Sequence, residues 1–568
     1  MKNNVLLFIL IFCLQSHAQH FLNLDFEHLI EGTGAPRKWT LVNNNYDAAI
    51  DTLNSYSQRN SLRIIDNDSI TKPPFIAMSK IPEILLKHDS LVLTAKLKIS
   101  KVADGFAGIW IRAIDSLGKN LLYQNSLANI IPHDNNWHEA FLKIKIPDNV
   151  EEVIFGIIVK GKGKYWIDNF EIVCDSNTFE DRDLSEYKPS EEEIEWLNSV
   201  IKPIKNLDTE KSQEDIEFIK NFVGESKILA LGEASHGTSE IFKMKHIIIR
   251  HLIENMNFNN FLIEAPMLEA KTIESYLKSK KEDSIDLSEK LLYWTWNTKE
   301  VLDLINWMKY YSQKKNVDIG FSGFDVQSNK MAGSLLLKYF KGESLDSLKV
   351  VLKDIDNAKS SKDYFEIYNR YKKLKKMVQN QIIKSEYIKA TKDKLLLSLN
   401  LMDQYLEFKF KRKSRDKNMA KNVNYIIQHE GLNGTILWAH NGHIKRTGGS
   451  MGEYLLKEYG EDYLSIGFAY HDGFYNTKKD SKIQEVKSQT SFQGTYEYYL
   501  KSANSPMFFI NLKEIQRNTK NIWLFESLEF RIAGATYQAD EFFSTDLVKD
   551  FDAIIFISSS TPSHLLSK

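Results

Sequence analysis

Two short stretches of the sequence combine histidine with glycine, and the first also contains carboxylates, in the way that hydrolytic active sites do. In the first, LGEASHGTSE, Glu233 and His236 follow an apolar run. In the second, WAHNGHI, His440 and His443 follow another apolar run. Histidine exchanges protons near neutral pH, and a neighbouring carboxylate fixes its tautomer and raises its basicity. These residue types indicate acid–base chemistry in which an imidazole activates water.

Strands must position these side chains. The run ILAL at 228–231 has the length of a strand and ends at a glycine; a helical pattern follows, and a second strand at 261–263 ends in Glu264. A further strand at 317–321 is followed by Asp325. Open α/β sheets bind ligands at the carboxyl ends of their strands. We therefore expect these carboxylates and the two histidine stretches to share one edge of a sheet.

The same side chains leave two catalytic schemes open. No G-x-S-x-G motif occurs and Cys174 lies in another region of the chain, which disfavours covalent serine or cysteine catalysis. A metal-free hydrolase is the first hypothesis, with no metal and no cofactor. The alternative is a metal-dependent hydrolase, such as a peptidase or amidase, because the same residues are acceptable ligands for zinc or manganese. H-x-x-H without H-E-x-x-H is a weak zinc pattern.

Length and composition predict a multidomain globular protein. The 568 residues exceed one ordinary domain, and 74 basic residues balance 75 acidic ones, so no net field favours nucleic acid as a partner. Residues 1–18 have the pattern of an export signal peptide, and no later stretch is apolar enough to span a membrane. We expect a periplasmic or secreted protein. Cys174 is the only cysteine after residue 18, which predicts no internal disulfide.

The fold class that we predict is an N-terminal all-β sandwich, jelly-roll-like, followed by an α/β domain with a helical insertion. Short β-branched and aromatic segments separated by turns indicate the sandwich at 19–176, similar to carbohydrate-binding modules. A linker and entry helix at 177–200 precede the catalytic domain at 201–568, and 342–429 is its helical cap or insertion. We read the basic run that ends at Arg415 as a solvated face or a contact to an acidic ligand.

The motifs together resemble one known family. The stretches LGEASHGTSE, LIEAP, WTWNTKEVLDLINWM, FSGFDVQ, WAHNGHI and FDAIIFISSSTP are similar in order and spacing to the erythromycin esterase family, over about residues 202–563. The resemblance implies an α/β enzyme that hydrolyses a carboxylic ester, such as a macrolide lactone ring, without a covalent intermediate.

The resemblance also implies roles for individual residues. His236 would be the general base that deprotonates water, with Glu233 and Glu264 orienting it. His440 and His443 would polarise the carbonyl, stabilise the oxyanion or protonate the leaving group. The substrate-binding residues that we expect are Lys245, where many members of the family carry arginine, together with His246, Arg250, Asp325 and Trp296.

A small ester or lactone is thus the expected partner, with a further glycan contact through the β-sandwich. A third hypothesis, from another functional class, is an envelope glycan-binding protein whose α/β domain has lost its activity. The intact motif residues argue against such a loss.

Overall fold

The structure is a computed structural model that describes residues 21–567, except 43–44, 67–72, 101–104, 116–117, 130, 185–186, 209–213, 281–283, 412–413 and 431–433. The export signal predicted at residues 1–18 lies outside the described residues and stays a prediction. Among the described helices, none has the length and apolar character needed to cross a membrane.

The described part of the N-terminal region is built from antiparallel β-strands. They are β1 (Thr40–Val42), β2 (Asp47–Asp51), β3 (Ser61–Asp66), β4 (Phe75–Lys80), β5 (Ser90–Ser100), β6 (Phe106–Ile114), β7 (Asn120–Asn125), β8 (Trp137–Lys145), β9 (Glu152–Lys160), β10 (Gly163–Cys174) and β11 (Asn177–Thr178). One sheet has the order β1-β4-β9-β6-β7 and the other β2-β3-β10-β5-β8, with β11 beside β10. Every second residue of β5 is buried, because alternate side chains of a strand point to opposite faces. The predicted β-sandwich is confirmed.

The tryptophans of this domain bear on the predicted glycan contact. Trp110 and Trp166 are buried, and their indole N–H groups donate to the carbonyl of Ile157 and to the carboxylate of Asp51. These two rings are part of the domain's packing and do not offer a face to a sugar. The glycan contact stays a prediction.

The second region alternates strands and helices. Its strands are β12 (Lys202–Pro203), β13 (Ile228–Leu231), β14 (Phe258–Pro266), β15 (Gly320–Asp325), β16 (Gly434–Trp438), β17 (Tyr463–Lys479), β18 (Lys482–Lys487), β19 (Met507–Asn511), β20 (Leu528–Arg531), β21 (Phe542–Thr545) and β22 (Ala553–Ser560). Its helices are α1 (Glu191–Val200), α2 (Phe218–Val223), α3 (Ser239–Asn255), α4 (Met267–Lys271), α5 (Ile273–Lys278), α6 (Leu287–Leu291), α7 (Lys299–Lys315), α8 (Lys330–Tyr339), α9 (Gly342–Asn357), α10 (Ser361–Lys384), α11 (Lys389–Phe410), α12 (Ser414–Glu430), α13 (Asn441–Ile444), α14 (Met451–Tyr459), α15 (Tyr496–Leu500) and α16 (Leu547–Asp550).

The main sheet of this region has the order β12-β19-β22-β17-β13-β16-β14-β15. Its centre is parallel: β13 pairs with β16 and β17, and β14 pairs with β15 and β16. Ile228 and Ala230 face one hydrophobic core while Leu229 and Leu231 face another. A parallel strand buried on both faces is an unbroken apolar run, which is the pattern at 228–231. The predicted α/β fold is confirmed.

Four long helices, α9 to α12, separate β15 from β16 in the sequence. Tyr371, Leu374 and Val378 recur at helical spacing on the buried face of α10, which packs against α11. The last helix, α12, packs against β15 and begins at Ser414. Its first residues consequently reach the carboxyl edge of the main sheet.

Candidate active site

The carboxyl ends of four neighbouring strands bring the predicted polar residues together. Glu233 follows β13, His440 follows β16, Glu264 lies near the end of β14, and Asp325 ends β15. The order β13-β16-β14-β15 places these strand ends side by side. The insertion of β16 between β13 and β14 is what brings the second histidine stretch into the same cleft.

The turn after β13 is fixed by a close approach of Asn441. A Cβ atom on Gly232 would lie 2.1 Å from Asn441 Oδ1, so only glycine fits at this position. The backbone N–H of Asn441 donates to the Glu233 carbonyl (3.0 Å), and its side chain exchanges hydrogen bonds with the backbone of Phe468. The turn after β13 and the turn after β16 are therefore joined to each other and to β17.

Glu233 orients His236. Its Oε1 lies 2.7 Å from His236 Nδ1, and its Oε2 accepts hydrogen bonds from Lys245 Nζ (2.6 Å) and Trp438 Nε1 (2.8 Å). A carboxylate can only accept at Nδ1, so the proton of the neutral imidazole is on Nδ1 and the lone pair is on Nε2. This is the tautomer that a general base needs. The His236 side chain remains 11% exposed.

Lys245 lies behind this pair and does not face the cleft. Its side chain is fully buried, and its ammonium lies 4.6 Å from the centre of the Trp438 ring. Burial lowers the pKa of Lys245 to about 8, with the Glu233 carboxylate opposing the shift. We therefore regard Lys245 as the cation that supports Glu233.

The lowered pKa of Lys245 predicts an alkaline limb in the pH–rate profile. Loss of its proton near pH 8 removes the ion pair of Glu233, so kcat is expected to fall above this pH. In Lys245→Arg the guanidinium keeps its charge, and the limb is expected to move up by about one pH unit or more. Steady-state kinetics of both proteins between pH 6 and pH 10 measure the limb; an unchanged limb in Lys245→Arg would assign it to another group.

His440 presents a polar nitrogen with no partner. Its Nδ1 accepts a hydrogen bond from the Gly442 N–H (3.2 Å), which places the proton of the neutral ring on Nε2. Among the described residues, Nε2 is buried and has no hydrogen-bond partner. Burial and the neighbouring His236 hold the pKa of His440 well below its ordinary value, so the ring is neutral. Its centroid is 4.8 Å from that of His236. An unpaired N–H donor of His440 thus lies beside the imidazole of His236.

His443 is, in contrast, surrounded by charges. Its Nδ1 is 2.8 Å from Asp416 Oδ1, and its Nε2 is 3.3 Å from Glu264 Oε1. Burial alone would lower the pKa of His443, but the Glu264 and Asp416 carboxylates outweigh it and raise the pKa to about 10. The imidazole is therefore protonated at neutral pH and donates from both nitrogens.

Arg415 joins the carboxylates of β14 and β15. Its Nη2 lies 2.7 Å from Glu264 Oε1 and 3.0 Å from Asp325 Oδ2, and its Nε is 3.0 Å from Asp325 Oδ1. Its Nη1 lies 2.9 Å from His443 Nε2, and this like charge opposes protonation of His443, although the Glu264 and Asp416 carboxylates outweigh it. Burial opposes the charge of Arg415, but the two carboxylates more than compensate and raise its pKa. The guanidinium and His443 form a permanent pair of cations in the cleft.

The sequence did not identify Arg415 as a site residue. Its basic run predicts a solvated face or an acidic-ligand contact, but the structure shows that the Arg415 side chain is only 17% exposed and bridges carboxylates of the protein itself. Asp416, Tyr293 and Trp438 were also missed. Trp438 stood within a quoted motif, but nothing in the spacing of the other three connects them to the catalytic strands.

Of the remaining predicted residues, Trp296 and Asp325 lie at the cleft, and His246 and Arg250 lie between α3 and α7. Trp296 is 1% exposed and donates its indole N–H to the Glu264 carbonyl (2.9 Å), so it supports the site without a free face for substrate. Asp325 is buried and also accepts from Tyr293 Oη (3.2 Å). His246 and Arg250 lie on the side of α3 that packs against α7, where both contact Trp307. We assign these two residues to helix packing.

The geometry also bears on the metal-dependent alternative. In the described ranges, no three His, Cys, Asp or Glu side chains converge in a way that could hold a metal ion. Lysine, arginine and indole N–H groups take the carboxylate oxygens that a metal would need. The N–H groups around Glu233 and Glu264 favour ion pairs and hydrogen bonds to these carboxylates over their coordination of a metal ion.

Comparison with known proteins identifies the family of this chain. The family profile described as "Erythromycin esterase" matches residues 253–560. A putative hydrolase of Bacillus subtilis (strain 168), YbfO, is 22% identical over 429 residues, which are 67% of this chain and 94% of the relative. An erythromycin esterase type II of Escherichia coli is 22% identical over 437 residues, covering 66% of this chain and 99% of the relative.

Solved structures show the same fold for the second region. A crystal structure of a Bacillus cereus protein superposes with a TM-score of 0.57 at 24% identity, covering 68% of this chain and 100% of that protein. An erythromycin esterase mutant in its open conformation superposes with a TM-score of 0.52 at 16% identity, covering 64% and 98%. The profile spans more than half of the sequence, and the chain belongs to the erythromycin esterase family of hydrolases.

Proposed function

We propose that the protein hydrolyses a carboxylic ester by direct attack of water, with His236 as the general base. The observation that carries the proposal is the pairing of two imidazoles with opposite hydrogen-bonding capacities, one an acceptor and one a donor. His236 has a free lone pair on Nε2, and His440, 4.8 Å away between ring centres, has a free N–H on Nε2. A water molecule and a carbonyl oxygen are the partners that such a pair fits.

The first step forms the tetrahedral intermediate. Water attacks the carbonyl carbon while His236 Nε2 takes its proton, and Glu233 stabilises the imidazolium through Nδ1–H. The carbonyl π electrons move to oxygen, and the resulting oxyanion accepts a hydrogen bond from His440 Nε2–H. Because His443 and Arg415 are cations in a largely buried site, they add electrostatic stabilisation to the same negative charge.

The second step breaks the ester bond. The oxyanion collapses, the C–O bond to the leaving group breaks, and the imidazolium of His236 returns its proton to the departing alkoxide. The products are an alcohol and a carboxylic acid, which loses its proton to solvent at neutral pH. In a lactone the two products stay in one molecule, whose mass is greater by one water.

This assignment separates the roles of the two later histidines. His443 is held by Asp416 and Glu264, so its two nitrogens are engaged before a substrate binds. His440 alone of the two has a nitrogen with no partner among the described residues. We infer that His440 contacts the reacting oxygen and that His443 acts through its charge.

A lactone or other small ester is the substrate class that we propose, and a macrolide lactone is the first candidate. Support comes from the site's donor arrangement and from the name of the E. coli relative, an erythromycin esterase. The test is incubation of the purified protein with erythromycin and a panel of simple lactones and esters, followed by mass spectrometry. We expect the mass of the lactone to increase by one water.

The same assay decides between the two catalytic schemes. Protein treated exhaustively with a chelator is expected to keep its activity, because the proposed mechanism uses side chains alone. Full loss of activity on chelation, with recovery on added zinc or manganese, would replace the proposal with the metal-dependent hydrolase. An enzyme that turns over amides but no ester would contradict the proposed substrate class.

A further inference from the structure

Lys38 of the N-terminal region is docked onto a hairpin of the α/β region. The hairpin consists of β20 and β21 with the connecting residues 532–541, and we call it the docking hairpin. Lys38 Nζ lies 2.5 Å from Glu529 Oε2 on β20 and donates to the carbonyl of Phe542 on β21 (2.8 Å). Glu529 is nearly fully buried. A buried carboxylate needs such a partner, because burial without one raises its free energy steeply.

Arg37 makes a second contact to the same hairpin. Its Nη1 lies 3.3 Å from Asp540 Oδ1 and donates to Gln489 Oε1 (2.7 Å). The guanidinium carbon lies 3.7 Å above the ring of Phe492, and the side chain is only 4% exposed. Arg37 and Lys38 thus contact both strands of the docking hairpin and the connection between them through buried, paired charges.

The docking hairpin also touches the catalytic turn. The N–H of Ala533 donates to the carbonyl of Ala234 (2.8 Å), and Ser235 forms a parallel bridge with Ala533. Both partners lie between Glu233 and His236 in the sequence. The backbone of Ala533 also approaches the His440 imidazole without completing a hydrogen bond to Nε2. One residue of the hairpin therefore contacts the backbone that carries the base and the ring that carries the N–H donor.

The connection between the two ends is short and stiff. Three residues lie between Glu529 and Ala533, and the four residue steps span about 13 Å of extended chain. Between them, Arg531 is fully buried; its N–H donates to Glu497 Oε1 (2.8 Å) and its guanidinium pairs with Glu541. A short extended segment that buried contacts hold in one conformation keeps Glu529 and Ala533 at a fixed separation, so the position of one depends on the position of the other.

We propose that Lys38 and Arg37 are positioning residues of the active site, acting through the docking hairpin on the turn between Glu233 and His236. The β-sandwich domain is then part of the catalytic unit and not a detachable spacer. The activity test below rests on the proposed ester hydrolysis; the exchange test does not.

The activity test compares three variants of the full-length protein. In Lys38→Ala we expect kcat to fall about 10-fold to 100-fold with KM within about 3-fold, because small displacements of catalytic groups slow the chemical step. Lys38→Arg keeps the charge and is expected to recover kcat to within about 3-fold of wild type. The control is Lys96→Ala, which removes a lysine paired with Glu139 (2.8 Å) on β5 and β8 of the same domain. Its kcat is expected to stay within about 2-fold.

The exchange test measures, in folded protein, whether loss of the Lys38 contact loosens the docking hairpin and the turn between Glu233 and His236. Amide hydrogen exchange, followed by mass spectrometry well below the unfolding temperature, is expected to be faster in Lys38→Ala in peptides covering 528–545 and 231–238, and unchanged there in Lys96→Ala. Arg37→Gln provides an independent second variant with the same expectation.

Faster exchange confined to 528–545, with residues 231–238 as in wild type, would overturn the proposal and leave Lys38 as a docking contact only. A fall of kcat that follows the folded fraction, or no recovery in Lys38→Arg, would overturn it as well. Absence of ester turnover by the wild type would refute the proposed function, while the exchange result would still decide the coupling.

Discussion

Replacing His236 with asparagine is expected to lower kcat by about 10³-fold to 10⁴-fold, the upper part of the range for loss of a general base. The asparagine Nδ2 can replace the Nδ1–H that donates to Glu233 Oε1, so the turn keeps its hydrogen bond while the proton acceptor is lost. The residual rate reflects the donors and cations that remain. Steady-state kinetics on the ester that the wild type hydrolyses measure the effect.

The matched control is His251→Asn, a change of a buried histidine on α3 that does not belong to the site. Its kcat is expected to stay within about 3-fold of wild type at a temperature where both proteins are folded. In His440→Asn we expect a smaller loss than in His236→Asn, about 10²-fold to 10³-fold, as for one oxyanion donor. Retention of full activity by His236→Asn would refute its role as the base.

The sequence indicated the members of the site that follow strands, and the reason is physical. Residues 228–231 and 435–439 are apolar runs because their strands are buried on both faces, and the residues that follow such strands must emerge at the sheet edge. Glu233, His236 and His440 are in this position. The fold class alone was therefore enough to predict that these three residues share one cleft.

Arg415 could not be predicted in the same way. It opens a helix, 90 positions after Asp325 in the sequence, and its local pattern, a basic residue in a polar segment, is typical of a solvated surface. What buries it is the return of α12 onto β15, a long-range packing that periodicity does not encode. The family resemblance likewise places Lys245 among the substrate-binding residues, whereas its partner in the structure is Glu233.

The second large effect is expected from Arg415→Met. This change leaves the carboxylates of Glu264 and Asp325 buried without their guanidinium, and breaking a buried ion pair costs about 3–5 kcal/mol of stability. We also expect kcat to fall by about 10²-fold or more, because Glu264 no longer fixes the His440 backbone and His443 in one geometry. Arg415→Lys keeps a charge but cannot bridge both carboxylates, so we expect an intermediate loss.

The control for stability is Arg370→Met. Arg370 forms a comparably short pair with Asp354 (2.7 Å), but its side chain is 53% exposed. A solvated pair of this kind contributes at most about 1 kcal/mol, so the free energy of unfolding is expected to change little. Urea unfolding of the three variants and the wild type gives the comparison. Equal costs for Arg415→Met and Arg370→Met would contradict the buried network.

The stability lost in Arg415→Met is expected to depend on pH because of Glu264. Burial would raise its pKa, but the charges of His443 and Arg415 outweigh burial and hold the pKa of Glu264 well below the ordinary 4.5. A carboxyl with a depressed pKa stabilises the fold above its unfolded pKa and loses that contribution as the pH falls through its folded pKa. In Arg415→Met the pKa of Glu264 rises, so its carboxylate is protonated at a higher pH than in the wild type. The stability difference between the two proteins is therefore expected to be largest near pH 7 and to shrink as the pH falls below about 4.5, since protonation also relieves the unpaired charge in the variant.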